Sequence, residues 1–498
     1  MAGTAAATFT TALLATTSTV VLHSNDSEVW GLHLLMSALV LRVALRPKPA
    51  APWRLGLVLG LAVSHHLTAI LLVPLVVGAA WPPRESTSLA RYAARIGTAG
   101  LQGIAGSSLG LLLFATLMLG GDGAWRWGET QTLAGLLHHV SRADYGVLQL
   151  SLHQETVSVL AQWQRALGSV CAAFTAGLSR SPLLAAVMLA AVAFGAWRTV
   201  PAGVSRGAWL GLAGSVAVTV LGFPALHNID PTGPFGAWIL SRFDLMPLLV
   251  LVVPLAVALA NVRGWANAVR RRVLLGTLAL GLVALQLSNT ARRGLPADDT
   301  TVERYAVDLL RTPTPGVTAI VFGTDDHRTF PVLFAQAVLG EGPDVLYVDA
   351  SLLAHPWYRA WLRQRVPTLP DIDKPVRLMG AIWQHPTLSA TPIYLANDFS
   401  IPSSRLDRVP EGLLWRIVVP AGLRREPPPG VEVVLARHRA AFARYLPGRG
   451  PKTPAASHPF TADLAAHYNE RTAQLVAALS ATGRPRQAEA LAAELLTP

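Results

Sequence analysis

Nine apolar runs dominate the first 290 residues, near 7–23, 29–45, 54–64, 66–80, 99–119, 182–197, 207–223, 245–260 and 273–290. The third and fourth adjoin, so that 54–80 reads as one 27-residue stretch, RLGLVLGLAVSHHLTAILLVPLVVGAA. At 1.5 Å per residue it is long enough to cross a bilayer. Its flanks argue against a single crossing. Arg42, Arg46, Lys48 and Arg54 precede it, and Arg84, Arg91 and Arg95 follow it against Glu85 alone. Short loops rich in Lys and Arg stay cytoplasmic, so both ends are expected on that side. The chain must then turn at Ser64, His65 and His66, which places a histidine pair at the extracytoplasmic face.

The same sorting runs through the helical half. Basic loops hold Arg198 with Arg206, and Arg263 with Arg270, Arg271 and Arg272, whereas Asp26, Glu28, Asp122, Glu129, Asp144, Glu155, Asp230 and Asp244 fall in the loops between them. The predicted architecture is a polytopic helical bundle of about nine membrane helices, some short, in the cell's inner (plasma) membrane. Residues 157–178 must then not cross, and Gln162, Gln164 and Arg165 suit a helix lying partly in the interface.

After residue 291 the pattern changes period. Runs at 317–323, 344–350, 391–397 and 413–420 read as strands, and 300–311 and 327–339 read as helices, which predicts a small α/β layer with parallel strands. Connections rich in Pro and Arg at 421–460 lead to two amphipathic helices, about 461–481 and 485–496. They look like one tetratricopeptide-type hairpin. The reading divides the chain into 1–291, 292–455 and 456–498, with everything after the bundle extracytoplasmic.

Composition agrees with a membrane protein: 52% hydrophobic and 14% charged residues, with a mean hydropathy of +0.41. The net charge of +12 lies in loops where it sets topology, and no clustered basic face or reading motif points to nucleic acid. The single cysteine, Cys171, excludes an internal disulfide and reads as packing.

Three loop segments carry candidate chemistry. Asp26 and Glu28 in SNDSEVWGL either take a proton from a hydroxyl or are two solvated loop acids. WRWGETQTLAGLLHHVSRADYG at 125–146 places Trp125 and Trp127 at the interface, and His138 and His139 with Arg142 put polar groups one helical turn apart on an otherwise apolar face. Its tryptophans read as interfacial belt residues or as a sugar platform. Its histidine pair lacks a third metal ligand at helical spacing. In SRFDLMP, Arg242 suits a lipid phosphate, with snorkelling or pairing to Asp244 as the structural alternatives. Asp325 and Asp326 follow a strand, a metal-site-like position, but the partner carboxylates of an oxygen-ligand site are not evident and the pair reads as a solvated turn.

In this order, EVWGL, GLAVSHHLTAILLVPL, WGETQTLAGLLHHVSRADYG, SRFDLMP and GTDDHRTFPVLFAQAVLGEGPDVLYVDASLLAHPWYRAWL resemble the transmembrane protein 260 family over roughly residues 20–365. That family comprises bacterial membrane proteins and a eukaryotic protein O-mannosyltransferase. The resemblance implies a glycosyltransferase fold of the C type. It implies transfer of a sugar, mannose in the eukaryotic member, from a polyprenyl-phosphate donor to a protein or glycan hydroxyl. Glu28 and Asp26 are then the candidate catalytic carboxylates. His65, His66, Trp127, Glu129, His138, His139, Arg142, Tyr145 and Arg242 border the donor and acceptor cavity, and cationic side chains or a divalent metal neutralise the departing phosphate.

Family members carry further spans and an acidic first loop upstream of the EVWGL-like segment. A chain starting MAGTAAATFTTALLATT lacks them and is expected to be inactive as it stands, unless Glu28 or Asp26 serves as the base. That start also lacks the positive n-region of a secretory signal. The alternatives are a non-catalytic protein that binds or moves lipid-linked glycans, using the same cavity, and, more remotely, a solute transporter, which the lack of paired repeats of broken helices argues against.

Overall fold

A computed structural model describes residues 4–25, 29–83, 88–119, 128–144, 157–198, 200–265, 269–292, 300–397, 407–418, 430–442 and 459–496. The chain divides into two compact units near residue 295, with Gly128 and Glu129 grouped with the second.

The first unit is helical. It opens with α1 (Thr4–Ala15) and α2 (Ser18–Asn25), bent by 61°. The bend has a chemical cause. Thr16 and Thr17 turn their hydroxyls back onto the carbonyls of Ala12 and Leu14, and Thr17 Oγ1 then accepts the Val20 N–H that begins the next helix. Next come α3 (Trp30–Ala44) and α4 (Pro52–His65). The long apolar stretch is indeed broken: His66 is extended at φ −152° and ψ 126°, and the chain resumes as a 3₁₀ turn over Leu67–Leu72 and α5 (Val73–Ala80).

Beyond it lie α6 (Leu89–Leu111), continued in 3₁₀ form over Leu112–Leu119, α7 (Leu133–Val140), α8 (Val159–Phe174) and α9 (Pro182–Arg198). Then follow α10 (Arg206–Ala217), a π-turn at Val218–Gly222, α11 (Phe223–Leu226), α12 (Pro234–Phe243), α13 (Leu245–Trp265) and α14 (Val269–Arg292).

Among the described residues two helices are long and apolar enough to cross a membrane, Leu89–Leu119 and Arg206–Leu226. The number rises to four if the bent pairs α1–α2 and α12–α13 each form one span. Helices such as α3 and Leu67–Ala80 are apolar but shorter than a full span. In Leu89–Leu119 only 11% of the apolar window is buried, and Leu101, Ile104 and Leu112 face outward. That apolar outer face is what a lipid solvent would cover.

Small residues join the helices. A Cβ on Gly56 or Gly60 of α4 would strike the backbone of Gly103 or Ser107 in α6, and one on Gly106 or Gly110 would strike α4 in return. Gly78 of α5 meets Gly207 and Gly211 of α10 in the same way. Close backbone approach through small residues is how helices associate where the surrounding solvent is itself apolar.

The α8 segment corrects one expectation. Its polar residues are not all presented to an interface: Gln162 is buried and donates to the Ile229 carbonyl, and Arg165 turns inward to Asp244.

The second unit holds a five-stranded sheet in the order β2-β1-β3-β5-β4. Its elements are α15 (Thr301–Leu310), β1 (Ala319–Gly323), α16 (Asp326–Ala337), β2 (Val345–Asp349), α17 (Pro356–Arg365), α18 (Pro375–Gln384), β3 (Ile393–Leu395), β4 (Asp407–Glu411), β5 (Leu414–Val418), α19 (Val431–Phe442), α20 (Pro459–Ala481) and α21 (Pro485–Leu495). β1 pairs in parallel with β2 and β3, but β5 runs antiparallel to both β3 and β4. The sheet is mixed, not parallel as expected. Only Gly412 and Leu413 separate β4 from β5, and a two-residue loop can join only antiparallel neighbours. Gly412, at φ 57°, supplies the left-handed position of that loop. β4 itself, DRVPE, has no apolar alternation and contains Pro410, which an edge strand tolerates.

Alternate residues of β1 serve opposite faces. Ala319 and Val321 join a core with Tyr305, Tyr347, Leu435, Leu464, Tyr468 and Leu491, while Ile320 and Phe322 join one with Tyr358, Trp361, Leu378 and Ile382. The α20–α21 hairpin thus packs into the main core of this unit.

Candidate functional site

The histidine tip between α4 and the following 3₁₀ turn is a connected polar cluster of the first unit. His65 ends α4 and places its Nε2 3.1 Å from the Val29 carbonyl. Val29 directly follows Glu28 in the chain. His66 caps the 3₁₀ turn: its Nδ1 accepts the Thr68 backbone N–H at 3.3 Å and lies 2.7 Å from the Thr68 hydroxyl. That hydroxyl is in turn 2.9 Å from Nε2 of His33, a buried residue of α3. Trp30 walls the group, with its ring 4.5 Å from His66, 5.8 Å from His33 and 5.2 Å from Phe243.

Arg142 lies close enough to His66 for their charges to interact. Its backbone makes this placement unusual. α7 ends in a six-to-one bond from Ala143 N to His138 O and a second from Arg142 N to His139 O, and Arg142 occupies the left-handed position at φ 53°. Glycine is the usual residue there, because a Cβ costs about 1 kcal/mol in that conformation. An arginine held in strained backbone is a pointer to function.

Around Trp30, α12 and α8 supply a second group. Ser241 lies 2.8 Å from His23 Nε2, the Arg242 guanidinium stacks 3.9 Å above the Trp238 ring, and Phe243 meets Trp30. Asp244 is clamped by Arg165 at 3.0 and 2.6 Å, so the alternative in which Asp244 pairs with Arg242 does not hold. Five residues along α8 from Arg165, about 8 Å at the helical rise, an apolar crevice begins, lined by Val170, Cys171, Phe174, Met188, Leu251 and Leu255.

The structure thus brings His65, His66 and Arg142 together, and links the Arg242 segment to them through Trp30 and Phe243. Glu129 is exposed and grouped with the second unit. His138 is bonded to Asp144 at 2.7 Å, and His139 lies half-buried in the last turn of α7. Asp26, Glu28, Trp127 and Tyr145 lie outside the described residues. Among the described residues no group of three or more His, Cys, Asp or Glu could hold a metal ion.

Sequence reasoning missed His33, Thr68, Trp30, His23 and Arg165. The signal for His33 was present, a lone imidazole inside the apolar run WGLHLL, three residues after Trp30. In the second unit Asp325 is half exposed and bonded by Arg328 and Asn397, each at 3.1 Å, at a φ of 77°. Asp349, deeper at the end of β2, is pushed above the usual carboxylate range by burial despite bonds from Thr329, Ser351 and Leu352.

No family model, no curated protein and no solved structure matches the chain.

Proposed function

We propose that this chain is a membrane protein of the glycosyltransferase type, which takes a sugar from a polyprenyl-phosphate donor and passes it to a hydroxyl on the extracytoplasmic side. The observation that carries the reading is the polar break at His66 between apolar helices, where His66, Thr68 and the buried His33 are joined by hydrogen bonds and Arg142 lies within electrostatic reach. Such a cluster suits an anionic headgroup at membrane depth. The ordered motifs shared with the transmembrane protein 260 family support the same substrate class.

In this reading Glu28 or Asp26 takes the proton of the acceptor hydroxyl as its oxygen bonds to the anomeric carbon. The bond from that carbon to the phosphate oxygen breaks, and the lipid phosphate leaves with the electron pair. His66, Arg142 and Arg242 stabilise the charge that develops there.

The test uses the whole chain in lipid nanodiscs with farnesyl phosphate as probe. Binding should exceed that of farnesol, and should weaken for Arg242→Lys and further for Arg242→Ala, since lysine keeps the charge but loses the forked donors. Equal affinity for farnesyl phosphate and farnesol sinks the proposal. Binding of a polyprenyl-phosphate sugar without turnover would leave carriage of lipid-linked glycans as the function. Turnover that survives Glu28→Gln and Asp26→Asn together would remove both from the role of base.

A further inference from the structure

The geometry points to His33 and Thr68 as positioning residues that hold His66 in a single tautomer, with its proton on Nε2, so that it serves as a hydrogen-bond donor to an anion and not as a base.

The argument is a count of donors. Thr68 has one backbone N–H and one hydroxyl hydrogen. Its N–H is aimed at His66 Nδ1 from 3.3 Å, in the capping position of the 3₁₀ turn. A protonated Nδ1 would set two donors head to head, so Nδ1 is the bare nitrogen. The Thr68 hydroxyl, 2.7 Å from the same nitrogen, must then donate to it also. With its only hydrogen used there, Oγ1 can meet His33 Nε2 at 2.9 Å solely as an acceptor, and His33 must carry its proton on Nε2. The chain of bonds therefore runs one way, from His33 Nε2–H to Thr68 Oγ1 and from the Thr68 O–H to His66 Nδ1.

Three further observations agree. His33 is fully buried, and its Nδ1 has no partner among the described residues, as suits the bare nitrogen of that tautomer. Trp30 lies against both rings and limits their rotation. His66 Nε2 has no hydrogen-bond partner among the described residues, which leaves its hydrogen for a ligand. A neutral imidazole that already holds its proton on the ligand side cannot also remove one there, so the base must be another group. Beside it, Arg142 adds a charge whose sign attracts the same anion.

The identity of the anion as a lipid phosphate rests on the proposed function; the tautomer does not. The test reads both. In the full chain labelled with ¹⁵N-histidine in nanodiscs, with His66 assigned by the signal lost in His66→Gln, Nδ1 should resonate as an unprotonated and Nε2 as a protonated nitrogen at neutral pH. Thr68→Ser, which keeps both donors, should preserve that pattern. Thr68→Val, close in shape but without the hydroxyl, should populate the Nδ1–H form and weaken farnesyl phosphate roughly tenfold, the effect of loosening one bond to a charged group. A parent chain with His66 protonated on Nδ1 overturns the inference, and so does a Thr68→Val chain whose histidine signals are unchanged. If the parent shows the expected tautomer but binds no farnesyl phosphate, the positioning stands and the functional reading fails.

Discussion

Arg165 grips Asp244 with both terminal guanidinium nitrogens, across 79 residues of chain, and so ties α8 to the junction of α12 and α13. The two side chains are 15% and 5% exposed, which places the pair among interior ion pairs. Removing one member leaves the other charge uncompensated, a loss of about 3–5 kcal/mol, whereas replacing both with apolar residues is often neutral. Arg165→Leu should therefore lower the thermal midpoint of the detergent-solubilised chain sharply, and Arg165→Leu with Asp244→Leu should recover most of it. If the double variant melts no higher than the single one, the pair is not the source of the effect.

Arg142→Gly should separate stability from binding. Glycine removes the Cβ penalty of the left-handed end of α7, a gain of about 1 kcal/mol, while it deletes the cation beside His66. A higher melting temperature together with weaker farnesyl phosphate binding is expected. A lower melting temperature would mean that contacts of the arginine side chain outweigh the strain.

Glycines of α4 and α6 divide by what surrounds them. Gly60 meets the backbone of Ser107, whereas Gly97 and Gly100 have open space where a Cβ would go. Gly100→Ala should then be neutral or stabilising, by up to about 1 kcal/mol from helix propensity, while Gly60→Ala should force α4 and α6 apart. Thermal midpoints in one detergent compare the two. Equal effects would argue that the close crossing does not carry stability.

The second unit should weaken in acid. Burial holds His438 down to about 4 and His467 down to about 3, against an ordinary value of 6.5. Each contributes stability that is present above 6.5 and lost as pH falls through its folded value. Asp308 acts in the opposite sense. Burial raises it to about 6, so its contribution is present below its ordinary 3.8 and is lost as pH rises through about 6. Asp349, which burial also raises, acts with Asp308, so two histidines face two aspartates; the large downward shifts of the histidines set the expected direction, a net loss in acid. Limited proteolysis of the full chain, following cleavage within residues 300–496, should speed up from pH 7 to pH 4.5. His438→Leu should flatten that dependence. Cleavage that slows in acid would mean that Asp308 and Asp349 dominate.

Much of this architecture could be read along the chain, because it rests on local periodicity and on charge. Alternating faces located β1, β2, β3 and β5, and the basic flanks of 54–80 together with its polar centre located the break at His66. Continuity of apolar composition was a poorer guide to the number of long helices, since Thr16, Thr17 and the 3₁₀ and π-turns interrupt runs that hydropathy reads as whole. β4 escaped because an edge strand needs neither apolar alternation nor freedom from proline, and the direction of β5 followed from a two-residue loop that was visible only once β4 was known.

Candidate residues were legible as types, and their pairings were not. Arg242 and Asp244 adjoin in sequence, yet the aspartate belongs to Arg165 and the arginine to Trp238. His65 and His66 adjoin as well, yet one bonds Val29 and the other leads through Thr68 to His33. Composition and spacing determine which chemistry a segment can offer. The partner of each donor and acceptor is decided by which helices cross there, since a hydrogen bond is satisfied only within about 3 Å and at a narrow angle, and no one-dimensional pattern carries that distance.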